Sequence, residues 1–77
     1  MEDLLQRITS RPELFGGKPA IRGMRIRVTD VLDLLSNGIS VQQILEEELP
    51  DLEEADIIAC LKYASLKVNY PVLNAAV

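Results

Sequence analysis

Residues 29–54 read TDVLDLLSNGISVQQILEEELPDLEE, and this stretch contains the boundaries between three predicted helices. An Asn-Gly pair at 37–38 is typical of the end of a helix. Ser40 and Gln43 then have the spacing of a capping box, in which two side chains satisfy amide groups at a helix N-terminus. Pro50 ends this second helix, because proline cannot continue the helical hydrogen bonds. The stretch therefore predicts short helices joined by connections of a few residues.

Further signals lie at the outer ends of this stretch. Thr29 is expected to cap the first helix, and Asp51 with Glu54 forms a second possible capping box before a third helix that runs to about residue 67. Three short helices with such connections, one of which contains glycine, predict a helix-turn-helix-like bundle. The predicted fold class is therefore mainly α.

The N-terminal third of the chain predicts short β-strands. Residues 5–9 are one candidate strand. Residues 18–21 and 24–28 flank Arg22-Gly23, so we expect a tight hairpin in which glycine supplies a positive φ. An isolated hairpin is only marginally stable, so this arm is expected to pack on the helices.

The chain length predicts one small domain, since it has only 77 residues. We expect this domain to span residues 1–68, with the strands at 1–28, the helices at 29–68 and a tail at 69–77. Cys60 is the single cysteine and there is no histidine, so neither a disulfide nor a zinc site is expected, and no cofactor is predicted. Self-association or a protein partner is then the expected source of added stability.

The cellular setting is also indicated by the sequence. A single unpaired thiol suits a reducing compartment. No stretch is long and apolar enough to span a bilayer, and the N-terminus does not have the pattern of a signal peptide. We therefore expect a cytoplasmic protein that does not bind membranes.

Charge is distributed unevenly along the chain, whose net charge is −4. Residues 1–27 carry six basic and three acidic side chains, whereas residues 28–77 carry two basic and nine acidic ones. Such asymmetry indicates distinct binding surfaces. One interpretation is a contact with nucleic acid or a protein partner; the other is ion pairing with the acidic half of the same molecule or of a second copy. Both apply to Lys18, Arg22, Arg25 and Arg27.

No part of the sequence predicts a catalytic site. The sequence GGKPAI at 16–21 lacks the pattern G-x-x-x-x-G-K-[ST] of a phosphate-binding loop, and its proline removes an amide donor. The acidic residues between positions 46 and 56 lie at helix ends of a chain too small to enclose a dry pocket, so we expect a solvated surface. Cys60 has no histidine to activate it and is expected to pack in the core. We therefore predict that the protein is not an enzyme.

The third helix is apolar on nearly all sides, which is typical of a buried helix. Two short helices cannot cover it completely, so one side is expected to meet a second subunit or a partner, unless the N-terminal hairpin covers that side. The acidic first turn would face phosphates in an ordinary recognition helix, so docking of that kind is disfavoured. The residues predicted to form the self-association surface are Ile57, Leu61, Ala64 and Val68.

Four sequence patterns together resemble a known family. They are I-x-x-x-P from position 8, GGKPxIxGxRIxV from position 16, L-x-x-G-x-S from position 35, and P-x-L followed by D-I-x-x-C-L-x-Y-A from position 50. The chain is similar here to the small bacterial family catalogued as domain of unknown function 433. The resemblance implies a homeodomain-like three-helix fold preceded by strands. It also implies a hairpin shaped by Gly16, Gly17, Pro19 and Gly23.

The same resemblance implies a role as the antitoxin half of a toxin–antitoxin pair, often encoded beside a PIN-like ribonuclease toxin. An acidic surface suits this role, because it can mask a basic RNA-binding cleft. We therefore predict a homodimeric antitoxin that neutralises such a toxin and represses its own operon by binding DNA. The alternatives are a stand-alone dimeric DNA-binding regulator and a non-catalytic oligomerisation module. The acids expected to face the toxin are Glu46, Glu47, Glu53 and Glu54.

Overall fold

Three helices follow a short antiparallel sheet in the computed structural model, which describes residues 3–68. The prediction of a mainly helical fold with N-terminal strands is confirmed at this level, and the predicted tail at 69–77 lies outside the described residues. The elements in chain order are a 3-10 turn (Leu4–Arg7), strand β1 (Ile8–Thr9), strand β2 (Ala20–Ile21), helix α1 (Val28–Ser36), helix α2 (Val41–Gln43, continued by a π-helical turn, Ile44–Glu48) and helix α3 (Glu54–Lys67).

The predicted tight turn at Arg22-Gly23 is confirmed. Both residues have a positive φ, 47° and 72°, and the Met24 amide donates a hydrogen bond to the Ile21 carbonyl at 2.8 Å. Two consecutive residues with positive φ are what a type I′ turn requires, and glycine adopts that conformation without steric cost.

The prediction that residues 24–28 form the second strand of the hairpin is wrong, because these residues do not form a strand. After the turn, pairing is limited to one bridge between Ala20 and Arg27. Helix α1 begins at Val28, two residues before the start expected from a cap at Thr29, so the chain leaves the sheet early. Strand β2 pairs instead with β1 in antiparallel order.

The glycines of the GGKP stretch shape a left-handed turn. Phe15, Gly16 and Gly17 have φ values of 54°, 62° and 87°, in a region that favours glycine. The amides of Gly17 and Lys18 donate to the carbonyls of Leu14 and Phe15 at 3.1 and 3.2 Å. These amides are therefore occupied by the turn itself, which agrees with the prediction that this stretch is not a phosphate-binding loop.

Helix α1 starts with an aspartate at its third position. Arg27 is the N-cap residue, and the carboxylate of Asp30 accepts a hydrogen bond from the Arg27 amide at 2.8 Å. A side chain at this position can reach back to the amide that precedes the helix, as in a capping box. The prediction that Thr29 caps α1 is therefore wrong.

Helix α3 repeats this arrangement. Glu53 is its N-cap residue, and the carboxylate of Asp56 accepts a hydrogen bond from the Glu53 amide at 2.8 Å. The predicted capping box of Asp51 and Glu54 is wrong by two positions, because the aspartate at the third helical position, rather than Glu54, binds the N-cap amide.

Helix α2 has the predicted start and end. The Ser40 hydroxyl accepts a hydrogen bond from the Gln43 amide at 3.1 Å. The helix then widens, and the Leu49 amide donates to the Ile44 carbonyl at 2.7 Å, which is the wider bonding pattern of a π-helical turn. Pro50 lies in the turn that follows, so the helix ends where proline was expected to end it.

The hydrophobic core lies between the sheet and the three helices. Cys60 is fully buried in it, as predicted, and burial raises the pKa of the Cys60 thiol to about 12. The core therefore joins the N-terminal arm to the helical bundle. Its members are Ile21, Val28, Val31, Ile44, Leu52, Ile57 and Cys60.

Candidate protein-interaction surface

A buried carboxylate fixes the orientation of α3. The side chain of Asp56 has no solvent exposure. Its Oδ1 accepts hydrogen bonds from Arg7 Nη1 at 2.8 Å and from Arg22 Nε at 3.0 Å, and its Oδ2 accepts one from Arg22 Nη2 at 2.8 Å. Together with the bond from the Glu53 amide, these contacts attach both the 3-10 turn and the Arg22-Gly23 turn to the start of α3.

This cluster is held in its ionised form. Burial by itself raises the pKa of the Asp56 carboxyl, but hydrogen bonds from Arg22, from the Glu53 amide and from Arg7 outweigh it, and the net pKa is lowered. The hydrogen bond to Asp56 in turn raises the pKa of Arg22. At neutral pH the cluster is therefore a network of charge-assisted hydrogen bonds.

Two of the four predicted basic contact residues are bound within the molecule. Arg22 pairs with Asp56, and Arg27 Nη2 lies 3.0 Å from Asp30 Oδ1, with its guanidinium 5.3 Å from the ring centre of Phe15. For these two arginines the observed contacts are those of the intramolecular alternative, pairing with acids of the same chain. Their guanidinium groups are only partly accessible to a ligand.

The other two predicted basic residues are accessible. Lys18 and Arg25 are exposed, and neither forms an ion pair with any residue between 3 and 68. Arg11 is also exposed, and its guanidinium lies close to the turn, with Nη2 3.6 Å from the position that a Cβ on Gly23 would occupy. Lys18, Arg25 and Arg11 are therefore exposed basic residues of the N-terminal third.

The prediction that the acids between positions 46 and 56 lie on a solvated surface is wrong for Asp56, which is fully buried, and Arg7 was not predicted to be one of its partners. Asp56 lies in the first turn of α3 between the apolar residues Ala55 and Ile57, and a carboxylate that is buried at such a position needs a partner. That was the available signal. Nothing in the local sequence indicated that Arg7, 49 residues away, would be one of the partners.

Helix α3 and the residue that follows it, Val68, carry large apolar side chains that the rest of the described chain leaves exposed. The exposed fractions are 45% for Ile58, 47% for Leu61, 47% for Leu66 and 75% for Val68. Scattered apolar residues are normal on a protein surface, but four on one helix and its following residue are typical of a protein-interaction surface.

The predicted self-association surface is partly wrong. Ile57 is 1% exposed and packs in the core, so it is not available to a partner. Ala64 is half-buried beside a groove rather than exposed. Leu61 and Val68 are exposed as that prediction requires. Ile58 was missed because the exposed side of the helix is centred about 45° away from the predicted side, roughly half of the step of about 100° between neighbouring residues.

Two apolar grooves lie on either side of Tyr63. One, of about 240 Å³, lies between α1 and α3 and is lined by side chains that include Val28, Leu32 and Ala64, with Lys18 and Lys67 among its lining. The other, of about 320 Å³, lies beside the 3-10 turn and contains Leu5, Ile8 and Leu66. Lys67 also lies over the Tyr63 ring, with Nζ 5.4 Å from the ring centre. The C-terminal half of α3 is therefore apolar with a lysine border.

The opposite end of α3 and the preceding turn are acidic. Of the four acids predicted to face a toxin, Glu53 is paired with Arg7 at 2.8 Å. The side chain of Gln42 donates to Glu46 at 3.2 Å. Within residues 3–68, several exposed carboxylates at this end form no ion pair, and they belong to Glu46, Glu47, Glu48, Asp51 and Glu54.

The family of this chain follows from a comparison of its sequence with known families. The family described as "Protein of unknown function (DUF433)" matches residues 8–64, well over half of the chain. The chain belongs to this family. The suspected resemblance is thereby confirmed, and the matched segment of this DUF433 protein includes Asp56, Arg22 and most of α3.

This DUF433 chain is also similar to a longer protein. "Uncharacterized protein y4eO" of Sinorhizobium fredii is 39% identical over 57 residues, which make up 74% of this chain and 25% of the relative. The chain therefore spans about a quarter of the length of that relative. No solved structure matches.

Among residues 3–68, no group of three or more histidine, cysteine, aspartate or glutamate side chains is arranged to hold a metal ion. In the same part of the chain, no helix is long and apolar enough to cross a membrane.

Proposed function

We propose that this DUF433 protein is a non-catalytic antitoxin that binds and neutralises a PIN-like ribonuclease toxin in the cytoplasm. The observation that carries the proposal is the acidic end of the molecule, where Glu46, Glu47 and Glu48 follow one another on the exposed end of the second helix. No basic side chain among residues 3–68 neutralises them. An acidic surface of this kind is complementary to a basic surface on a partner.

The electrostatic argument also indicates how neutralisation works. A ribonuclease needs a basic cleft, because its substrate is a polyanion. Carboxylates that enter the cleft compete with RNA phosphates and accelerate association at low ionic strength. Glu53 is held by Arg7, and Glu54 lies on α3 rather than in the run of acids at 46–48. We therefore assign the contact to Glu46 and Glu47.

The test is co-expression of this chain, tagged, with the product of the neighbouring gene. We expect a nuclease to co-purify with the wild-type chain and to be toxic when expressed alone. The double variant Glu46→Lys and Glu47→Lys should lose the partner and restore toxicity. A matched control is Glu13→Lys with Asp33→Lys, which reverses two exposed acids elsewhere. If no nuclease co-purifies, or if both double variants retain it equally, the proposal is wrong.

A second candidate function is regulation of transcription, by this chain alone or in addition to its antitoxin role. The observation that favours it is the exposed and unpaired state of Lys18 and Arg25. We propose that the three helices form a homeodomain-like helix-turn-helix bundle, but that DNA phosphates are contacted by these two residues, since the acids Glu53 and Glu54 at the start of α3 would repel them.

This second candidate has its own test. Replacing Lys18 and Arg25 together with alanine should lower the slope of log affinity against log salt by about one unit for each lost phosphate contact. A control variant, Lys67→Ala, removes an exposed basic residue from the C-terminal end of α3 and should leave the slope unchanged. Regulation by direct DNA binding is excluded if the wild-type chain shows no salt-sensitive binding to its own promoter fragment.

A further inference from the structure

Most of the exposed apolar side chains of α3 lie within a narrow range of directions around the helix axis. At 3.6 residues per turn, Ile58, Leu61, Ser65 and Val68 lie within about 80° of one another around the helix axis, together with Glu54. All five are exposed. Leu66, although equally exposed, lies about 140° away from Leu61 and belongs to the groove beside the 3-10 turn. Three of the four exposed large apolar residues, Ile58, Leu61 and Val68, therefore lie in one narrow stripe, and Leu66 lies outside it.

Two charged residues accompany this stripe. Glu54 lies at its N-terminal end and Lys62 lies on its flank, two turns further along. Neither forms an ion pair within the described part of the chain. They cannot pair with each other in one molecule without leaving the helix surface, because eight residues separate them by about 12 Å along the axis.

We propose that the N-terminal part of this stripe, from Glu54 to Lys62, binds the same part of a second copy of the chain, with the two α3 helices antiparallel around a two-fold axis near Ile58. Glu54 and Lys62 lie four residues on either side of Ile58. Glu54 and Lys62 lie about 40° to either side of Ile58 around the helix axis, so in this arrangement Glu54 of each copy is level with Lys62 of the other and the two side chains reach each other across the contact. Two ion pairs result. Ile58 meets its symmetry mate, and Leu61 packs beside it.

The charges favour a second copy over an unrelated partner. A two-fold interface joins one surface to itself, so that surface must be self-complementary. A stripe with an acid at one end, a base toward the other and apolar residues between them satisfies this condition in the antiparallel arrangement only, since a parallel pairing would place like charges together. The small core of a chain of this length makes such association favourable for stability.

The first test is the oligomeric state of two matched variants, measured by sedimentation equilibrium over a range of concentrations. Leu61 and Leu66 are each 47% exposed, so a glutamate at either position should leave the fold intact, as circular dichroism can verify. We expect Leu61→Glu to raise the dimer Kd by about 100-fold or more, because each copy would place a carboxylate beside Glu54 of the other. Leu66→Glu should leave the Kd unchanged.

The second test is a charge exchange. Glu54→Lys and Lys62→Glu should each raise the dimer Kd by about tenfold, because each places like charges together twice per dimer. The double variant should bring the Kd back to within about threefold of the wild-type value. Glu54→Lys also removes an acid from the first helical turn, which lowers the thermal stability of the monomer. This loss should persist in the double variant, because the second substitution does not restore that acid.

Several results would overturn the proposal. They are a wild-type chain that stays monomeric at its solubility limit, a Leu61→Glu variant that still dimerises, a Leu66→Glu variant that dissociates while Leu61→Glu does not, and a double charge variant no better than the single ones. Because no step involves a toxin or DNA, failure of this proposal leaves the proposed antitoxin function untouched, and the reverse also holds.

Discussion

Helices α1 and α3 begin in the same way but use the arrangement for different purposes. In both, an aspartate at the third helical position accepts the amide of the N-cap residue at 2.8 Å. The Asp30 side chain is 33% exposed and its ion pair is with Arg27, three residues away. The Asp56 side chain is fully buried and binds arginines that are 34 and 49 residues distant. The same cap therefore makes only local contacts in α1, whereas in α3 it also connects the helix to distant parts of the chain.

The difference comes from what surrounds each carboxylate. Asp30 can exchange its protein contacts for water at little cost, whereas Asp56 has no such exchange available. A buried carboxylate is tolerated only when its oxygen atoms are fully bonded, and no buried side-chain polar atom among the described residues lacks a partner. The capping aspartate of α3 is therefore expected to be the more sensitive of the two.

The largest difference in stability between the two helix starts is expected when the carboxylate of each is removed. Asp56→Ala leaves two arginines facing a buried, uncharged site, and we expect it to lower the free energy of unfolding by about 3–5 kcal/mol. Asp30→Ala removes only a cap and an exposed ion pair, with an expected loss of about 1 kcal/mol. Urea denaturation followed by circular dichroism measures both. Equal losses would show that the long-range contacts of Asp56 contribute nothing beyond capping.

Acid should weaken the link at α3 before it affects the apolar core. The folded pKa of Asp56 is lowered relative to that of the unfolded chain, so the unfolded chain binds more protons. Its stabilisation is therefore fully present above the unfolded pKa of about 3.9 and is lost as the pH falls through the folded pKa. The free energy of unfolding, measured between pH 6 and pH 2.5 or so, should fall with pH in the wild type and more gently in Asp56→Asn.

A smaller difference in stability loss is expected between variants of Arg22 and Arg27. Arg22→Ala removes two hydrogen bonds from Asp56 but leaves those from Arg7 and the Glu53 amide, so the expected loss is about 2 kcal/mol. Arg27→Ala breaks an ion pair between partly exposed groups, with an expected loss of about 0.5 kcal/mol. Thermal unfolding of the two variants at the same protein concentration shows which substitution destabilises the protein more. A larger effect for Arg27 would contradict the assignment of Arg22 as the structural residue.

Local signals predicted the parts of this fold that depend on neighbouring residues. The Arg22-Gly23 turn requires positive φ, and the boundaries of α2 depend on Ser40 and Pro50, so these features could be read from the sequence. The start of α1 was misplaced by two residues, because Thr29 and Asp30 are both plausible capping residues and only the observed geometry distinguishes them. The strand predicted at residues 24–28 is reduced to a single bridge between Ala20 and Arg27, directly before this helix start.

The candidate surface was less predictable, because it depends on how α3 is rotated against the rest of the chain. An apolar helix does not reveal from its sequence whether Ile57 or Ile58 faces inward. The rotation is set by Asp56, whose partners are distant in sequence. Arg22 was open to two interpretations for the same reason, since a basic residue in a turn looks alike whether it meets DNA or a buried carboxylate.

Because the single cysteine is buried, its reaction with a thiol reagent can be used to detect when α3 detaches from the core. Cys60 is shielded in the folded state, and its thiol pKa of about 12 leaves almost no reactive thiolate near neutral pH. A thiol-alkylating reagent can therefore react only when α3 detaches from the core. With one cysteine in the chain, the labelling rate measures the free energy of that detachment without an added probe.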